Sequence, residues 1–224
     1  ESVIEIHNKE TKNGKVLGVF VQFGGQTPLT IAKKLERENI NILGTSTKSI
    51  DLAEDRDLFS QLLNKLKIRQ PSNGIADNTS KALSIAQKIK YPVLVRPSYV
   101  LGGRAMEIAY DDKYLKLFAD NAMRVSNINS ILIDKYLENA IEIDVDLIRD
   151  AEGQVYIAGI MEHIEEAGIH SGDSGCSLPP FSLSEKIKTQ IVDWVTKIAR
   201  ELNVIGLMNS QLALKDDQLY VLEV

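Results

Sequence analysis

Two arginines stand on either side of a glycine pair in the stretch Arg96-Pro97-Ser98-Tyr99-Val100-Leu101-Gly102-Gly103-Arg104. Without Cβ atoms, Gly102 and Gly103 can take positive φ and lay backbone N–H groups close to a polyanion. Arg96 and Arg104 can add charge-assisted hydrogen bonds to phosphoryl oxygens. The same residues also suit a hairpin turn whose arginines pair with surface carboxylates, and the stretch alone does not choose. The β-branched run Val93 to Val95 reads as a short strand that Pro97 stops, so a strand opens into a loop of phosphate size.

A second constellation lies at the C-terminal end. Leu207 to Leu214 and Leu219 to Val224 read as a hairpin turning at Lys215-Asp216-Asp217-Gln218. A three-residue turn, Asp216 to Gln218, sets Gln211 opposite Glu223 on one face. A two-residue turn pairs Gln211 with Leu222 and sends Glu223 to the other face, because a one-residue slip inverts side-chain direction. A carboxylate beside an amide oxygen suits a hard cation such as Mg²⁺, which takes few protein oxygens together with substrate phosphates. The alternative is two polar residues on a solvated sheet face.

The run from Glu162 to Cys176 carries His163, His170, Glu165, Glu166 and Cys176. It contains neither His-Glu-x-x-His nor another zinc spacing. Gly172-Asp173-Ser174-Gly175 matches the nucleophile segment of chymotrypsin-like proteases, but that chemistry needs an all-β double barrel and an upstream His and Asp. The helices evident in this chain set it aside. No spacing signature marks Cys176 as a nucleophile, and a small buried or tolerated residue is the simpler reading. What remains is a polar loop, Gly168 to Ser177, whose backbone donors, hydroxyls and His170 can serve a ligand.

The elements that must position these groups follow from periodicity. Val16 to Phe23 reads as a buried strand, Gly24-Gly25 as a turn, and Thr27-Pro28 as the N-cap and first residue of a helix reaching about Glu38. Asn41 to Leu43 reads as the next strand, giving a parallel β-α-β layer of Rossmann type. Asp55 to Lys67 has Leu58, Phe59, Leu62, Leu63 and Leu66 at helical spacing. The pattern changes near Pro71, where the boundary between residues 1–70 and 71–224 is placed. Helices are expected over Ser80 to Lys90 and Asp111 to Ala122, and strands over Ile131 to Tyr136 and Val155 to Glu162. Ile141, Ile143, Val145 and Leu147 alternate with Glu142, Asp144 and Asp146, as in an antiparallel strand with one polar face. Ser184 to Leu202 carries the longest apolar stripe, Ile187, Ile191, Trp194, Val195, Ile198 and Leu202. The fold class is therefore α/β plus α+β, a βαβ segment followed by a mainly antiparallel sheet.

Composition fits a small-molecule enzyme, and equally most other soluble proteins. The 224 residues are 44% hydrophobic, and 26 Lys plus Arg against 31 Asp plus Glu give a formal charge of −5. That balance argues against a protein that coats nucleic acid. With Cys176 as its one cysteine the chain forms no internal disulfide, and a reducing compartment, the cytoplasm, is expected. No apolar run is long enough to span a membrane, and the acidic start Glu1-Ser2-Val3-Ile4-Glu5-Ile6-His7 does not read as a signal peptide.

Four long motifs carry a resemblance. They are Gln22-Phe23-Gly24-Gly25-Gln26-Thr27-Pro28, Ala53-Glu54-Asp55-Arg56, the stretch Val95 to Met106, and the stretch Met161 to Pro179; Met208 to Lys215 and Leu222-Glu223-Val224 continue them. In this order they resemble the carbamoyl phosphate synthetase large subunit over nearly the whole chain. That subunit has two related ATP-grasp halves, and the forms here look like the second, carbamate-phosphorylating one. The implied architecture is the end of a pre-ATP-grasp βαβ segment, then an ATP-grasp domain.

The resemblance also implies roles. Arg56 and Arg96 match the catalytic arginines that contact ATP phosphates, and Gly102 and Gly103 the loop covering them. Lys135 and Leu137 match adenine-edge positions, where main-chain groups usually act. Glu142 matches the ribose-binding carboxylate, Gly168, Ile169, His170 and Ser171 the nucleotide-proximal loop, and Gln211 and Glu223 the ligands of Mg²⁺ (or Mn²⁺). That last match favours the three-residue turn. The implied substrates are ATP and carbamate, and the implied partner of a full-length parent is a glutaminase small subunit or domain. The family continues past Val224 with Asn-Pro-Arg, so the chain alone is expected not to complete carbamoyl phosphate synthesis. Other ATP-grasp carboxylate-amine ligases, and a non-catalytic fragment, are the alternatives.

Overall fold

The computed structural model describes residues 1–23, 25–97, 106–125, 130–167 and 173–224. The expected sites at Gly102, Gly103, Gly168, Ile169, His170 and Ser171 lie outside these residues.

The N-terminal layer contains α1 (Ser2–Asn13), β1 (Val19–Phe20), α2 (Gln26–Arg37), β2 (Ile42–Leu43) and α3 (Thr47–Glu54). β1 and β2 pair in parallel, as the β-α-β reading requires. β1 is shorter than the expected strand, and Phe20 and Phe23 stack edge to face on the surface instead of entering a core. α2 is capped by Gly25, so Thr27 and Pro28 fall inside the helix. Neither α1 nor α3 was expected. α1 buries no residue fully and so carries no strong apolar stripe.

A second layer is built from β3 (Asn73–Ala76), α5 (Thr79–Ile89), β4 (Val93–Pro97), β5 (Glu107–Ala109), α6 (Asp112–Val125) and β6 (Ile131–Lys135). Its antiparallel sheet has the order β3-β6-β4-β5. Ala82 and Ala86 of α5 and Leu115 and Ala119 of α6 pack on Val93, Val95, Ile131 and Ile133. Pro97 still pairs with Ile131, so the strand carrying Arg96 runs one residue further than expected.

The largest core lies under a second antiparallel sheet, ordered β11-β10-β7-β8-β9. Its strands are β7 (Ile141–Arg149), β8 (Val155–Glu166), β9 (Cys176–Ser177), β10 (Gly206–Lys215) and β11 (Gln218–Glu223). α4 (Arg56–Leu66) and α7 (Glu185–Glu201) cover one face. All six stripe residues expected of α7 are buried, and Ser184 caps the helix through its hydroxyl to Ile187 N–H. Each large apolar side chain so buried stabilises the fold by roughly 1.5–3 kcal/mol. In α4, Phe59, Leu62 and Leu63 are buried, whereas Leu58 is exposed.

Among the described residues, a hydrogen-bonded joint ties the N-terminal layer to the start of β10. The Thr45 hydroxyl donates to Ile205 O at 3.2 Å and accepts from Ile205 N–H at 2.9 Å and from Gln22 Nε2 at 3.1 Å. Gly44 beside it has φ +92, and a Cβ there would stand 2.7 Å from Gln22 Oε1 and 3.1 Å from Ile205 O. The joint fixes the entry to β10, the strand of Gln211.

Candidate active site

The hairpin β10–β11 reaches the expected pairing by an unexpected route. Lys215 pairs with Gln218, so the turn has two residues, Asp216 and Asp217, both at positive φ (48 and 56). This is the hairpin geometry that matches strand twist, and aspartate tolerates it. It corrects the three-residue turn. A register shift between Gln211 and Leu212 then adds one residue, and Gln211 faces Glu223 after all. The reason lies in the core. Leu219 and Val221 are buried, and in a regular strand Glu223 would follow them inward. The β-bulge turns it to the other face, a local re-aiming that bulges perform.

That face continues into β7. Glu142 pairs with Ala213, Asp144 with Gln211, and Asp146 with Asn209. The polar face of β7 is not open to solvent as a plain surface strand would be, since Glu142 is 5% and Asp144 8% exposed. Leu222, the extra residue of the bulge, packs with Leu137, Ala140, Ala167 and Ala213 into a small apolar patch on this side.

Arg56 is the first residue of α4, where a cation opposes the helix dipole. It is held there by acceptors from two other elements. Nη1 donates to Leu222 O at 2.8 Å, and Nη2 lies 3.5 Å from Asp134 Oδ2. Arg96 donates from Nε to the same Asp134 oxygen at 3.0 Å. Burial lowers the Arg56 pKa from its ordinary value and nearby Arg96 adds to this, while Asp134 and Glu223 oppose it. The sheet of β4 and β6 and the sheet of β10 and β11 are therefore bonded through one guanidinium.

Lys135 and Leu137 lie on the segment joining the sheets. Lys135 Nζ donates to Lys90 O and Tyr91 O at 3.1 and 2.9 Å, and burial lowers its pKa. Both residues line an open pocket of about 410 Å³ with Arg69, Lys215 and Tyr220.

Within the 162–176 stretch, Glu162, His163 and Glu165 have structural partners. Glu162 accepts from the N–H groups of Phe181 and Ser182, His163 Nε2 is 2.7 Å from Asp144 Oδ2, and Glu165 accepts from Gly175 N–H. Among the described residues no group of three His, Cys, Asp or Glu side chains is placed to hold a metal ion. Cys176 is exposed on β9, an edge strand formed at the end of the expected loop. Asp134 was missed by sequence reasoning. Its one signal is an acid closing the apolar run Ile131-Leu132-Ile133.

Solved structures of similar fold include biotin carboxylase from Campylobacter jejuni, with a TM-score of 0.76 at 20% identity over 97% of this chain and 50% of that one. The biotin carboxylase domain of 2-oxoglutarate carboxylase from Hydrogenobacter thermophilus, solved with MgADP, ADP and bicarbonate, gives 0.73 at 22% identity over 87% and 44%. The chain thus has an ATP-grasp-like fold, helices with two mainly antiparallel sheets. The family described as "Carbamoyl-phosphate synthase L chain, ATP binding domain" matches residues 55–224, and "Carbamoyl phosphate synthase preATP-grasp domain" matches residues 1–52. The chain belongs to the carbamoyl phosphate synthase large-chain family. It is 57% identical to the large chain of Archaeoglobus fulgidus over 100% of its own length and 20% of that protein's. It is 52% identical to the C-terminal section of the large chain of Methanocaldococcus jannaschii, covering 36% of it.

Proposed function

We propose that the chain is the nucleotide-binding part of the carbamate-phosphorylating half of a carbamoyl phosphate synthase large chain. The observation that carries this reading is the bulge that sets Glu223 opposite Gln211, with Arg56, Asp134 and Arg96 adjoining through Leu222 O. The match to a C-terminal section supports assignment to the second half.

In this reading Arg56 and Arg96 hold the phosphates of ATP, and their fixed charge stabilises the phosphoryl group as it passes to a carbamate oxygen attacking in line. No protein nucleophile is needed. The amide oxygen of Gln211 and the carboxylate of Glu223 fit Mg²⁺ (or Mn²⁺), since hard cations take few protein oxygens alongside phosphates. When bound, the cation neutralises charge on the β- and γ-phosphates. Main-chain groups of Lys135 and Leu137 meet the adenine edge, the patch of Leu137, Ala213 and Leu222 meets its face, and Glu142 takes the ribose. By the resemblance, Gly102 and Gly103 belong to the loop over the phosphates, and Gly168, Ile169, His170 and Ser171 to the nucleotide-proximal loop. The whole protein works in the cytoplasm and takes its ammonia from a glutaminase small subunit or domain.

The test is calorimetric titration of the chain with a non-hydrolysable ATP analogue, with and without Mg²⁺. Binding that needs Mg²⁺ and is lost in Glu223→Gln is the expected result. No binding in either condition refutes nucleotide recognition by this chain.

A further inference from the structure

Asp134 is 4% exposed and lies in β6 between β3 and β4, paired with Asn73 on one side and Leu94 on the other. One of its oxygens, Oδ2, serves two guanidiniums from separate elements, Arg96 at 3.0 Å and Arg56 at 3.5 Å. Its other oxygen, Oδ1, is buried with no partner among the described residues, and so is Arg56 Nε. Buried polar groups are nearly always paired, so this cluster holds hydrogen-bonding capacity that the chain does not fill. Two guanidiniums share this one buried carboxylate oxygen; burial, and after it Arg96, lowers the Arg56 pKa, and Glu223 joins Asp134 in opposing that.

We propose that Asp134 is a positioning residue that occupies the two arginines in place of the polyanion. Without a ligand its carboxylate offsets the repulsion between Arg56 and Arg96 and holds the two guanidiniums together. When phosphoryl oxygens arrive, they take over part of that pairing. The carboxylate then stands beside a second anion and lowers its affinity. Asp134 thus stabilises the ligand-free state against the bound one. This rests on the reading of Arg56 and Arg96 as phosphate-binding residues.

Two opposed effects follow for Asp134→Asn, which keeps the side chain's shape and removes its charge. The ligand-free variant melts at a lower temperature than the wild type, because two partly buried cations lose their shared counter-charge. Yet it binds inorganic tripolyphosphate more tightly, by about fivefold or more, because a like charge is gone from the site. A merely structural role predicts weaker binding together with the lower melting temperature, so the gain in affinity separates the two.

The experiment is calorimetric titration of the wild-type and Asp134→Asn chains with tripolyphosphate, together with thermal melts at several tripolyphosphate concentrations. Tighter binding, and a melting temperature that tripolyphosphate raises more steeply in the variant, is the expected result. Equal or weaker binding by the variant, with the wild type binding, overturns the role of Asp134 and leaves the phosphate reading standing. Failure of both chains to bind overturns the phosphate reading and the proposal with it. Should Asp134→Asn not fold in plain buffer, refolding in the presence of tripolyphosphate supports the proposal, and failure to refold there overturns it.

Discussion

Replacing Thr45 by valine tests whether the N-terminal layer steadies the strand that carries Gln211. The residue is 5% exposed, and valine matches its shape while removing only the hydroxyl. That hydroxyl donates to Ile205 O, accepts from Ile205 N–H and accepts from Gln22 Nε2, at 3.2, 2.9 and 3.1 Å. A neutral hydrogen bond contributes about 1 kcal/mol net, and a buried group left unpaired costs about 1–3 kcal/mol. Because Ile205 is 40% exposed, water can recover part of the loss, which places the expected destabilisation near the low end, about 2 kcal/mol. In a chain of this size each kcal/mol moves the melting temperature by about 2–4 °C, so a fall of roughly 4–8 °C is expected by scanning calorimetry. Thr45→Ser is the control. It keeps the hydroxyl and loses one methyl, a change of about 0.8 kcal/mol or less. A valine variant melting within about 1 °C of wild type would falsify the joint, and so would a serine variant that falls as far as the valine one.

Two further outcomes can be checked. Arg96→Ala, introduced into a full-length large chain containing this sequence, should lower carbamoyl phosphate turnover at least about tenfold, and a rate within about twofold of wild type counts against its role. The second concerns alkaline stability. Burial raises the Tyr136 pKa above its ordinary 10.0, with Tyr110 and Glu166 adding to the effect. The folded state therefore keeps that proton when the unfolded chain has lost it. Stability is full below pH 10.0 and falls as pH climbs from there through the folded-state value. Tyr136→Phe should flatten that alkaline decline in urea midpoints, and an unchanged slope would refute the contribution.

How much could be read from the sequence depended on whether a residue's role is periodic. α7 was legible because six apolar residues recur at helical spacing and all enter one core. β7 was legible because its acids and aliphatics alternate without interruption. α1 was not, since a helix that buries nothing fully leaves no such stripe. The N-terminal strand was read too long because Phe20 and Phe23 were taken as core residues, and both are exposed. The pairing of Gln211 with Glu223 was anticipated, but through the wrong turn. No local signal distinguishes three turn residues from two turn residues plus a bulge; only the burial of Leu219 and Val221 decides it. Asp134 belongs to a third kind. Its importance arises from Arg56 and Arg96, residues 78 and 38 positions away along the chain, and no local spacing records such an encounter.

The bulge at Leu222 changes the spacing of side chains along the end of β11. In a regular strand neighbouring residues point to opposite faces, so an apolar contact and a carboxylate on one face stand at least two residues apart. Here Leu222 and Glu223 share a face, and consecutive Cα atoms are about 3.8 Å apart. In the proposed complex the floor under the base and the ligand of the cation are then adjacent links of one chain. The end of β11 would then hold base and cation in one fixed register, and a nucleoside lacking the phosphates could engage only one of its two links.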